Sequence, residues 1–542
     1  MAKSGTGKRN TTVFAQWPSA VLENFYECAS NDPEAFELWA YSDRLSYQAG
    51  ENIRFHVNTQ AGTFDLVIYR DGAVRRDVHV SGGNKGRFSE TPQDCSVTGC
   101  GWPVLLEVSV ADDWPSGGYI AEFTARQGEA TQIYRHIFVI RPRPKRRADI
   151  LFITSTSTWL AYNDWGGSNY YDGITGLARN HFSPIISTER PWSRGFAWLP
   201  VGAPRIPLRE PPAPGAAPRY PHMEWAYANG YSKKYASGGW ASYDRHFLRW
   251  AETQGFGVDV ITQHDLHFGR IALRDYKCVV MVGHDEYWSW AMRDAIDDYV
   301  EAGGHVARFA GNFLWQIRLE NEGLRQVCYK YRARTEDPLR DTADRHLMTE
   351  FWESQNINRP GTLTFGLTGS RGVYTGWGLA CPRASGGFTV YRPEHWSLKD
   401  TDLYYGDVFG SRSKVFGYEV DGLDYIIRDG LPYPTFSDRA QPSTEIIAMG
   451  LATTIEEDHG NEGPPFFVGF DDGRYLAKSL YGDDSPRSLD KVRRGSGMMI
   501  HFQRGKGEVF HAGTCEWVAG LIDRDHAVET ITRNVLGRFL SK

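Results

Sequence analysis

The chain has 542 residues, more than one ordinary hydrophobic core accommodates, so we expect two or three domains. Its 41% hydrophobic and 14% aromatic content is typical of a globular protein that also has ring-lined pockets. The net charge of −6 argues against a nucleic-acid partner, because binding to phosphates needs clustered Lys and Arg side chains.

The apolar runs, the start of the chain and the cysteines bear on where the protein works. No run of about 18 apolar residues is present, so we expect no membrane span. The polar start MAKSGTGKRNTT is not followed by the apolar segment of a secretory signal, which favours a cytoplasmic protein. The seven cysteines are scattered, which argues against a disulfide framework. Whether Cys95 and Cys100 are bridged stays open from the sequence.

After an N-terminal extension over residues 1–35, residues 36–142 show short alternating segments separated by Gly, Pro, Asn and Asp. In ENIRFHVN, for example, Ile53, Phe55 and Val57 share one face of an extended chain. This pattern predicts an Ig-like β-sandwich, with a scaffolding or oligomer-contact role and carbohydrate binding as the alternative. The basic run RPRPKRR that follows is interpreted as a linker.

Residues 143–542 change to alternating strands and helices. The runs ADILFITST, VDVIT and KCVVMVG predict buried strands, and SYDRHFLRWAETQG predicts a helix. SWAMRDAIDDYVEAGG predicts a second helix that begins at an N-cap, Ser289, and stops at Gly303. Such alternation predicts an α/β domain with a parallel sheet, interrupted by long loops at about 184–235 and 320–494.

The strand VVMVG ends in the polar sequence HDEYW. Ligands of open α/β sheets collect at the carboxyl ends of the strands, and in an extended chain His284 and Glu286 point to the same side. The alternative is an ordinary helix start, at which Asp285 and Glu286 complement the helix dipole. Even if Glu286 belongs to a site, we assign the helix-start role to Asp285.

A tyrosine-rich loop, AYNDWGGSNYYDG, follows the first strand of the same domain and contains Tyr162, Tyr170 and Tyr171. In a parallel sheet this loop and HDEYW emerge at the same edge. Phenolate and carboxylate oxygens are hard ligands that suit Fe³⁺. The alternative from the residues alone is a wall of rings that stacks on a sugar or substrate, or simply core.

Four blocks together resemble the large (beta) subunit family of N,N-dimethylformamidase over residues 148–542: TWLAYNDWGGSNYYD, GHDEYW, EAGGHVARFAGN and GEVFHAGTCEWVAGL with ITRNVLGRFL. The resemblance implies a class I glutamine amidotransferase-like, flavodoxin-like α/β fold. It also implies an iron-dependent hydrolase that cleaves a small amide C–N bond with metal-activated water. Members that carry a large lectin-like insert are longer than this chain, so the substrate stays open.

The resemblance further implies a mononuclear, non-haem Fe³⁺. Its implied protein ligands are Tyr162, Tyr171 and Glu286, and Tyr170 is the rival for the second tyrosine. A homo-oligomer is expected, whereas a small accessory subunit is not inferable from this chain. The implied catalytic residues are His284, Asn312 and Glu419.

Other readings of the sequence are weaker. A cysteine nucleophile needs a tight strand-to-helix turn, which neither Cys278 nor Cys515 occupies. The segment TQHDLHFG, with His264, Asp265 and His267, is expected to cap the next element or border the pocket. GTGKRNT lacks the strand and spacing of a phosphate-binding loop. The alternative function is a non-catalytic protein that binds a sugar or other small molecule on a degenerate amidotransferase-like fold.

Overall fold

The computed structural model describes residues 12–13, 23–144, 147–175, 181–207, 221–372, 386–452, 472–492 and 495–541. Most of the proline-rich run PPAPGAAPRYP and part of the predicted linker lie outside these residues. Thr12–Val13 and Glu23–Asn24 pair as a short antiparallel ladder.

The first part of the chain forms two sheets with the strand orders β1-β3-β6 and β2-β8-β7-β4-β5. Its strands are Leu38–Ser42 (β1), Ser46–Tyr47 (β2), Asn52–Thr59 (β3), Thr63–Asp71 (β4), Arg75–Lys85 (β5), Val104–Ser109 (β6), Gly117–Gln127 (β7) and Ala130–Ile140 (β8).

The two sheets bury one shared apolar core, to which β3 contributes every second residue. Ile53, Phe55 and Val57 are buried, as the alternating pattern predicts, and the Phe55 ring lies edge-on to Phe123 of β7 at 5.3 Å between centroids. The predicted strand pattern is therefore confirmed, while the Ig-like assignment stays a prediction.

The second part is built on a nine-stranded sheet with the order β10-β9-β11-β12-β17-β16-β15-β13-β14. Its strands are Ile150–Thr154 (β9), Val258–Thr262 (β10), Cys278–His284 (β11), His305–Gly311 (β12), Phe388–Val390 (β13), Val408–Phe409 (β14), Glu445–Leu451 (β15), Ser496–Arg504 (β16) and Gly507–His511 (β17).

The first five strands of this order are parallel, and the other four continue the sheet in antiparallel fashion. Counted along the chain, the parallel strands have the order 2-1-3-4-5, which reverses between β9 and β11. In doubly wound sheets this reversal opens a crevice beyond the carboxyl ends of the strands. The assignment to the class I glutamine amidotransferase-like fold stays a prediction.

Helices connect these strands, and none of the described ones is long and apolar enough to cross a membrane. The single turns are Cys95–Thr98, Ala333–Glu336 and Thr362–Phe365, and the longer helices are Thr156–Tyr162 (α1), Pro221–Asn229 (α2), Arg245–Thr253 (α3), Gln263–His267 (α4), Trp290–Ala302 (α5), Asp472–Tyr481 (α6), Pro486–Val492 (α7), Trp517–Ile522 (α8) and His526–Ser541 (α9).

The ends of two helices follow the sequence signals. In α5, Ser289 Oγ accepts from the Met292 N–H at 3.3 Å, and Gly303 closes the helix in the left-handed conformation at φ +119°. In α4, Thr262 and Asp265 form a reciprocal capping box. The predicted capping role of the HDLH segment is therefore confirmed for Asp265.

Both segments predicted as long loops contain regular structure, which corrects that prediction. Residues 320–494 include β13 to β15, α6 and α7, and residues 184–235 include α2. β15 pairs with β16, β13 pairs with β15, and β14 pairs with β13, so these strands depend on partners that local sequence does not reveal. A hairpin and a four-stranded sheet complete the fold: Tyr425–Arg428 with Leu431–Pro434, and Ile185–Ser187, Arg325–Val327, Trp315–Glu320 and Tyr287–Ser289.

A buried carboxylate joins the two parts of the molecule. Asp71, the last residue of β4, accepts hydrogen bonds from Arg249 at 2.6 Å, Arg245 at 3.1 Å and the Trp240 indole N–H at 2.7 Å. Trp240 lies in the π-helical turn Trp240–Asp244 that leads into α3. We call these four residues the Asp71 junction, which fixes the first sheet region against the second.

None of the described cysteines forms a disulfide, and Cys95 and Cys100 are buried free thiols. Cys278 lies inside β11 and Cys515 follows β17, both completely buried. Burial raises the pKa of both thiols, which disfavours the thiolate that a nucleophile requires.

Candidate active site and metal centre

The candidate site lies at the carboxyl ends of the parallel strands, where the strand order reverses. Tyr162 ends α1, directly after β9, and His284 ends β11. Asn312 follows β12, and the Glu419 carbonyl accepts from the Cys515 N–H at 3.0 Å, which holds its loop beyond β17. The expectation that AYNDWGGSNYYDG and HDEYW emerge at one edge is confirmed by the parallel pairing of β9 with β11.

Two glycines allow the chain to approach closely at this edge. Gly283 has φ +75°, and a Cβ there would lie 2.5 Å from the Tyr243 ring. A Cβ at Gly311 would lie 2.6 Å from the Cys515 nitrogen and 2.8 Å from the Glu419 carbonyl oxygen. Larger side chains at these positions would displace His284 and the Glu419 loop.

Three buried side chains bring their oxygens together, and we call them the oxygen cluster: Tyr162, Tyr171 and Glu286. The Tyr162 and Tyr171 hydroxyls lie 2.5 Å apart. Both donate to Glu286 Oε2, at 3.0 Å from Tyr162 and 3.1 Å from Tyr171. The Glu286 backbone is fixed as well, because its N–H donates to Thr158 Oγ1 at 3.0 Å. The cluster is therefore built on rigid backbone.

A second group, which we call the proton-transfer group, adjoins the oxygen cluster and consists of His284, Glu419 and Asn312. His284 Nε2 lies 2.9 Å from Glu419 Oε2 and 3.3 Å from Glu286 Oε2. The Asn312 amide Nδ2 donates to Glu419 Oε2 at 2.6 Å and lies 3.1 Å from His284 Nε2. The Ser237 carbonyl accepts from His284 Nδ1–H at 2.6 Å, so Nε2 is the ring atom that faces the site.

The shifts in pKa reflect this convergence of buried charges. Burial alone would lower the pKa of His284, but hydrogen bonds that it donates to the Glu286 and Glu419 carboxylates raise it to about 10. Burial raises the pKa of Glu419. For Glu286 the hydrogen bond with His284 and the charge of Lys330 outweigh burial and lower the pKa. Two carboxylates therefore converge on one buried imidazole, and their pKa values are shifted in opposite directions.

The two phenols of the oxygen cluster are poor acids in the protein alone. Burial, followed by the charge of Glu286, raises the pKa of both Tyr162 and Tyr171 well above the ordinary value. Loss of their protons therefore requires a strong cation at the cluster. Two phenol oxygens and a carboxylate are a hard donor set, so the residues present fit Fe³⁺. His284, Glu286 and Glu419 also have ligand atoms within 4.8 Å of one another.

The structure distinguishes the two adjacent tyrosines. Tyr171 contacts Glu286, whereas the Tyr170 ring packs 5.3 Å from the Tyr287 ring. All six residues predicted for the site, with Tyr171 as the second tyrosine, lie together: Tyr162, Tyr171, His284, Glu286, Asn312 and Glu419.

The helix-start role predicted for Asp285 is wrong. Helix α5 begins at Trp290 and has no acidic residue in its first turn. Asp285 is buried, where it accepts from the Trp288 indole N–H at 2.8 Å and lies 3.4 Å from the Arg308 guanidinium. Asp285 lies too far ahead of the predicted N-cap Ser289 to act on the helix, because Tyr287–Ser289 forms a strand with Trp315–Glu320. Asp285 therefore has a structural role beside the site, through its contacts with Trp288 and Arg308.

Two further residues contact the oxygen cluster and were not identified from the sequence. The Tyr287 hydroxyl lies 2.9 Å from that of Tyr171, and Lys330 Nζ donates to Tyr287 at 3.0 Å. The Lys330 ammonium also lies 3.8 Å from the centre of the Tyr171 ring. Tyr287 directly follows Glu286 in GHDEYW, so the sequence did contain a signal for this residue. Lys330 lies in the segment predicted as a long loop and carries no local signal.

Comparison with known proteins agrees with the family resemblance and extends the matched region toward the N-terminus. The model of a protein family described as N,N-dimethylformamidase beta subunit-like, C-terminal, matches residues 65–529, so the match begins inside the first sheet region. Two N,N-dimethylformamidase beta subunits, from an Alcaligenes species and from Paracoccus aminophilus, are each 24% identical over 475 residues. The alignments cover 83% of this chain and 55% of each relative, so the chain spans about half the length of these relatives. The chain belongs to the N,N-dimethylformamidase beta subunit-like family.

Proposed function

We propose that this protein is an iron-dependent hydrolase that cleaves the C–N bond of small amides. The observation that carries the proposal is the contact between the oxygen cluster and the proton-transfer group, where His284 Nε2 lies 3.3 Å from Glu286 and 2.9 Å from Glu419. Hard oxygen donors beside a histidine with a raised pKa suit the activation of water next to a polarised carbonyl. The names of the two relatives point to formamides as the first substrates to try.

Tyr162, Tyr171 and Glu286 would hold the iron. Bound there, Fe³⁺ supplies Lewis-acid chemistry, which polarises a carbonyl and lowers the pKa of water. Lys330 supports the same three residues, because its ammonium lies against the Tyr171 ring and favours negative charge on the phenol oxygens.

The proton-transfer group would move the protons of the reaction. His284 is oriented by Ser237. The His284 pKa falls once a bound cation offsets the negative charge of Glu286, and Nε2 then accepts the proton of the attacking water. Glu419 shares that proton at 2.9 Å and passes it to the leaving amine nitrogen. Asn312 Nδ2 donates a hydrogen bond to the developing oxyanion or to the water. The products are an amine and a carboxylic acid.

The experiment is a substrate panel on purified protein with metal analysis. Formamides, alkyl amides, aryl amides, ureas and carbamates are offered to the parent protein, to Glu286→Gln and to Asp65→Asn, a control with a half-exposed side chain on the first sheet region. We expect hydrolysis of at least one small amide with about one iron per chain, and loss of both iron and activity in Glu286→Gln alone.

Active protein without iron would contradict the iron mechanism. Protein that binds a sugar or other small molecule and hydrolyses none of the panel, with or without iron, would favour the non-catalytic alternative. The relatives are named as beta subunits, so the oligomeric state of the pure chain is measured in the same preparation; the homo-oligomer stays a prediction.

A further inference from the structure

A second cluster of ligand side chains lies on the antiparallel half of the nine-stranded sheet. His395, Glu445 and His501 place one ligand atom each within 4.8 Å of one another. Glu445 Oε2 is 3.8 Å from His395 Nε2 and 3.9 Å from His501 Nδ1. Ligand atoms at about 2.1 Å from a tetrahedral zinc are about 3.4 Å apart, so small side-chain movements complete the site.

The two imidazole nitrogens that face this cluster have no hydrogen-bond partner among the residues that the structure describes. His395 is 8% exposed and His501 is 5% exposed, so water does not freely solvate them. A buried polar atom without a partner is costly, and a bound ion would satisfy both nitrogens at once.

The far side of each ring is held in a way that suits metal binding. His501 Nε2 lies 3.2 Å from Glu508, which also accepts from Arg538 at 3.2 Å. With Nε2–H donated to Glu508, His501 Nδ1 carries the lone pair, as in carboxylate–histidine–metal triads. The Ser397 N–H donates to His395 Nδ1 at 3.2 Å, and Ser397 Oγ lies 2.8 Å from the same atom. Metal binding at Nε2 selects the other tautomer, in which Nδ1–H donates to Ser397 Oγ and the lone pair lies on Nε2.

The third member of the cluster is open to solvent, unlike the two buried rings. Glu445 has a side chain that is 53% exposed, so it offers an entry path and an open position for water.

This cluster is separate from the oxygen cluster. Glu445 is the cross-strand partner of His501, and His501 in turn pairs with Phe510. Phe510 pairs with Ala307, which lies four residues before the end of β12 at Gly311. Four residues correspond to about 13 Å along a strand.

We propose that His395, Glu445 and His501 form a second metal site, which takes a divalent borderline ion, Zn²⁺ above all. Two imidazoles and one carboxylate are ligands that zinc takes readily, whereas the oxygen cluster suits a harder ion. The ion ties the loop at His395 to β15 and β16, so it acts as a clamp on the antiparallel half of the sheet.

The test is zinc titration by calorimetry on protein that was treated with EDTA and dialysed. The Glu286→Gln background removes binding at the oxygen cluster. We expect about one equivalent of Zn²⁺ to bind in this background. Because loss of an outer partner alone costs about 10–100-fold in affinity, loss of a ligand in Glu445→Gln is expected to cost at least about tenfold.

Glu394→Gln is the matched control, since Glu394 is an exposed carboxylate in the same loop and is no member of the cluster. Its affinity is expected to equal that of the background. His501→Gln is the second variant, and because Glu445 is half exposed, Glu445→Gln keeps the test valid if His501→Gln fails to fold. Absence of micromolar zinc binding, or equal affinity in Glu445→Gln and Glu394→Gln, would overturn the proposal.

A melting experiment on the same proteins adds a second readout. Zinc raises the midpoint of thermal unfolding through mass action when it binds the folded state. At equal zinc concentration the rise is expected to be larger for Glu394→Gln than for Glu445→Gln. An equal rise of the unfolding midpoint in both variants would also overturn the proposal of a zinc site.

Discussion

The Asp71 junction and the oxygen cluster each contain a carboxylate that is almost fully buried, yet they differ in what surrounds it. Asp71 accepts from two arginines and an indole N–H, so its charge is matched. Glu286 accepts from two phenols and shares its histidine with a second carboxylate, Glu419. Matched charge stabilises a fold, whereas convergence of like charges in a buried space is typical of functional sites. The difference separates a structural carboxylate from a reactive one.

Among the substitutions that test this comparison, the largest effect on kcat is expected for a change at His284. Replacement His284→Gln removes the proton acceptor of the site, and loss of general acid–base catalysis costs about 10²–10⁴-fold in kcat. Because His284 is not among the three proposed iron ligands, the iron content is expected to stay near that of the parent. Steady-state kinetics and metal analysis on the same preparation measure both. Activity within about twofold of the parent would remove His284 from the mechanism.

At the Asp71 junction the expected loss is in stability rather than in activity. Asp71→Ala leaves Arg245 buried without its partner, and breaking a buried ion pair costs about 3–5 kcal/mol in the free energy of unfolding. Urea denaturation measures this loss. The kcat of the folded fraction is expected to equal that of the parent.

Asp71→Asn is the matched variant, because its amide oxygen still accepts from Trp240 while the charge is lost. We expect a smaller loss of stability than in Asp71→Ala. A large fall in kcat with unchanged stability in either variant would mean that the comparison assigns the two carboxylates wrongly.

A smaller effect is expected at Asn312. This residue has φ +60°, so Asn312→Gly removes the amide without backbone strain. Loss of one preorganised hydrogen-bond donor to an oxyanion costs about 10²–10³-fold in kcat. KM is expected to change little if the bond is made in the transition state. A change in KM alone would instead assign Asn312 to substrate binding.

Local sequence signals predicted much of the fold. The alternation of Ile53, Phe55 and Val57 gave β3 its buried face, and Ser289 with Gly303 marked both ends of α5. The strands β13 to β15 were missed, since β13 and β14 are short and all three depend on pairing with strands elsewhere in the sequence. The role of Asp285 was misassigned for a similar reason: the pairing of Tyr287–Ser289 with the distant strand Trp315–Glu320 separates Asp285 from the start of the helix.

Much of the candidate site was also predicted from the sequence. The motif residues of the family resemblance lie together, but the choice between Tyr170 and Tyr171 depends on which way two neighbouring side chains point. Only the folded loop fixes that direction. Lys330 reaches the Tyr171 ring from a backbone with φ +50°, a conformation that its sequence does not signal.

The central claim is that the oxygen cluster holds Fe³⁺ through Tyr162, Tyr171 and Glu286. Visible absorption tests it most directly, because charge transfer from phenolate to Fe³⁺ colours the protein. We compare purified parent, Tyr171→Phe and Tyr170→Phe at equal protein concentration, with iron measured in each. The account predicts a visible band in the parent and in Tyr170→Phe, and a lost or strongly shifted band in Tyr171→Phe. Colourless parent protein that hydrolyses amides, or a band that Tyr171→Phe leaves unchanged, would contradict it.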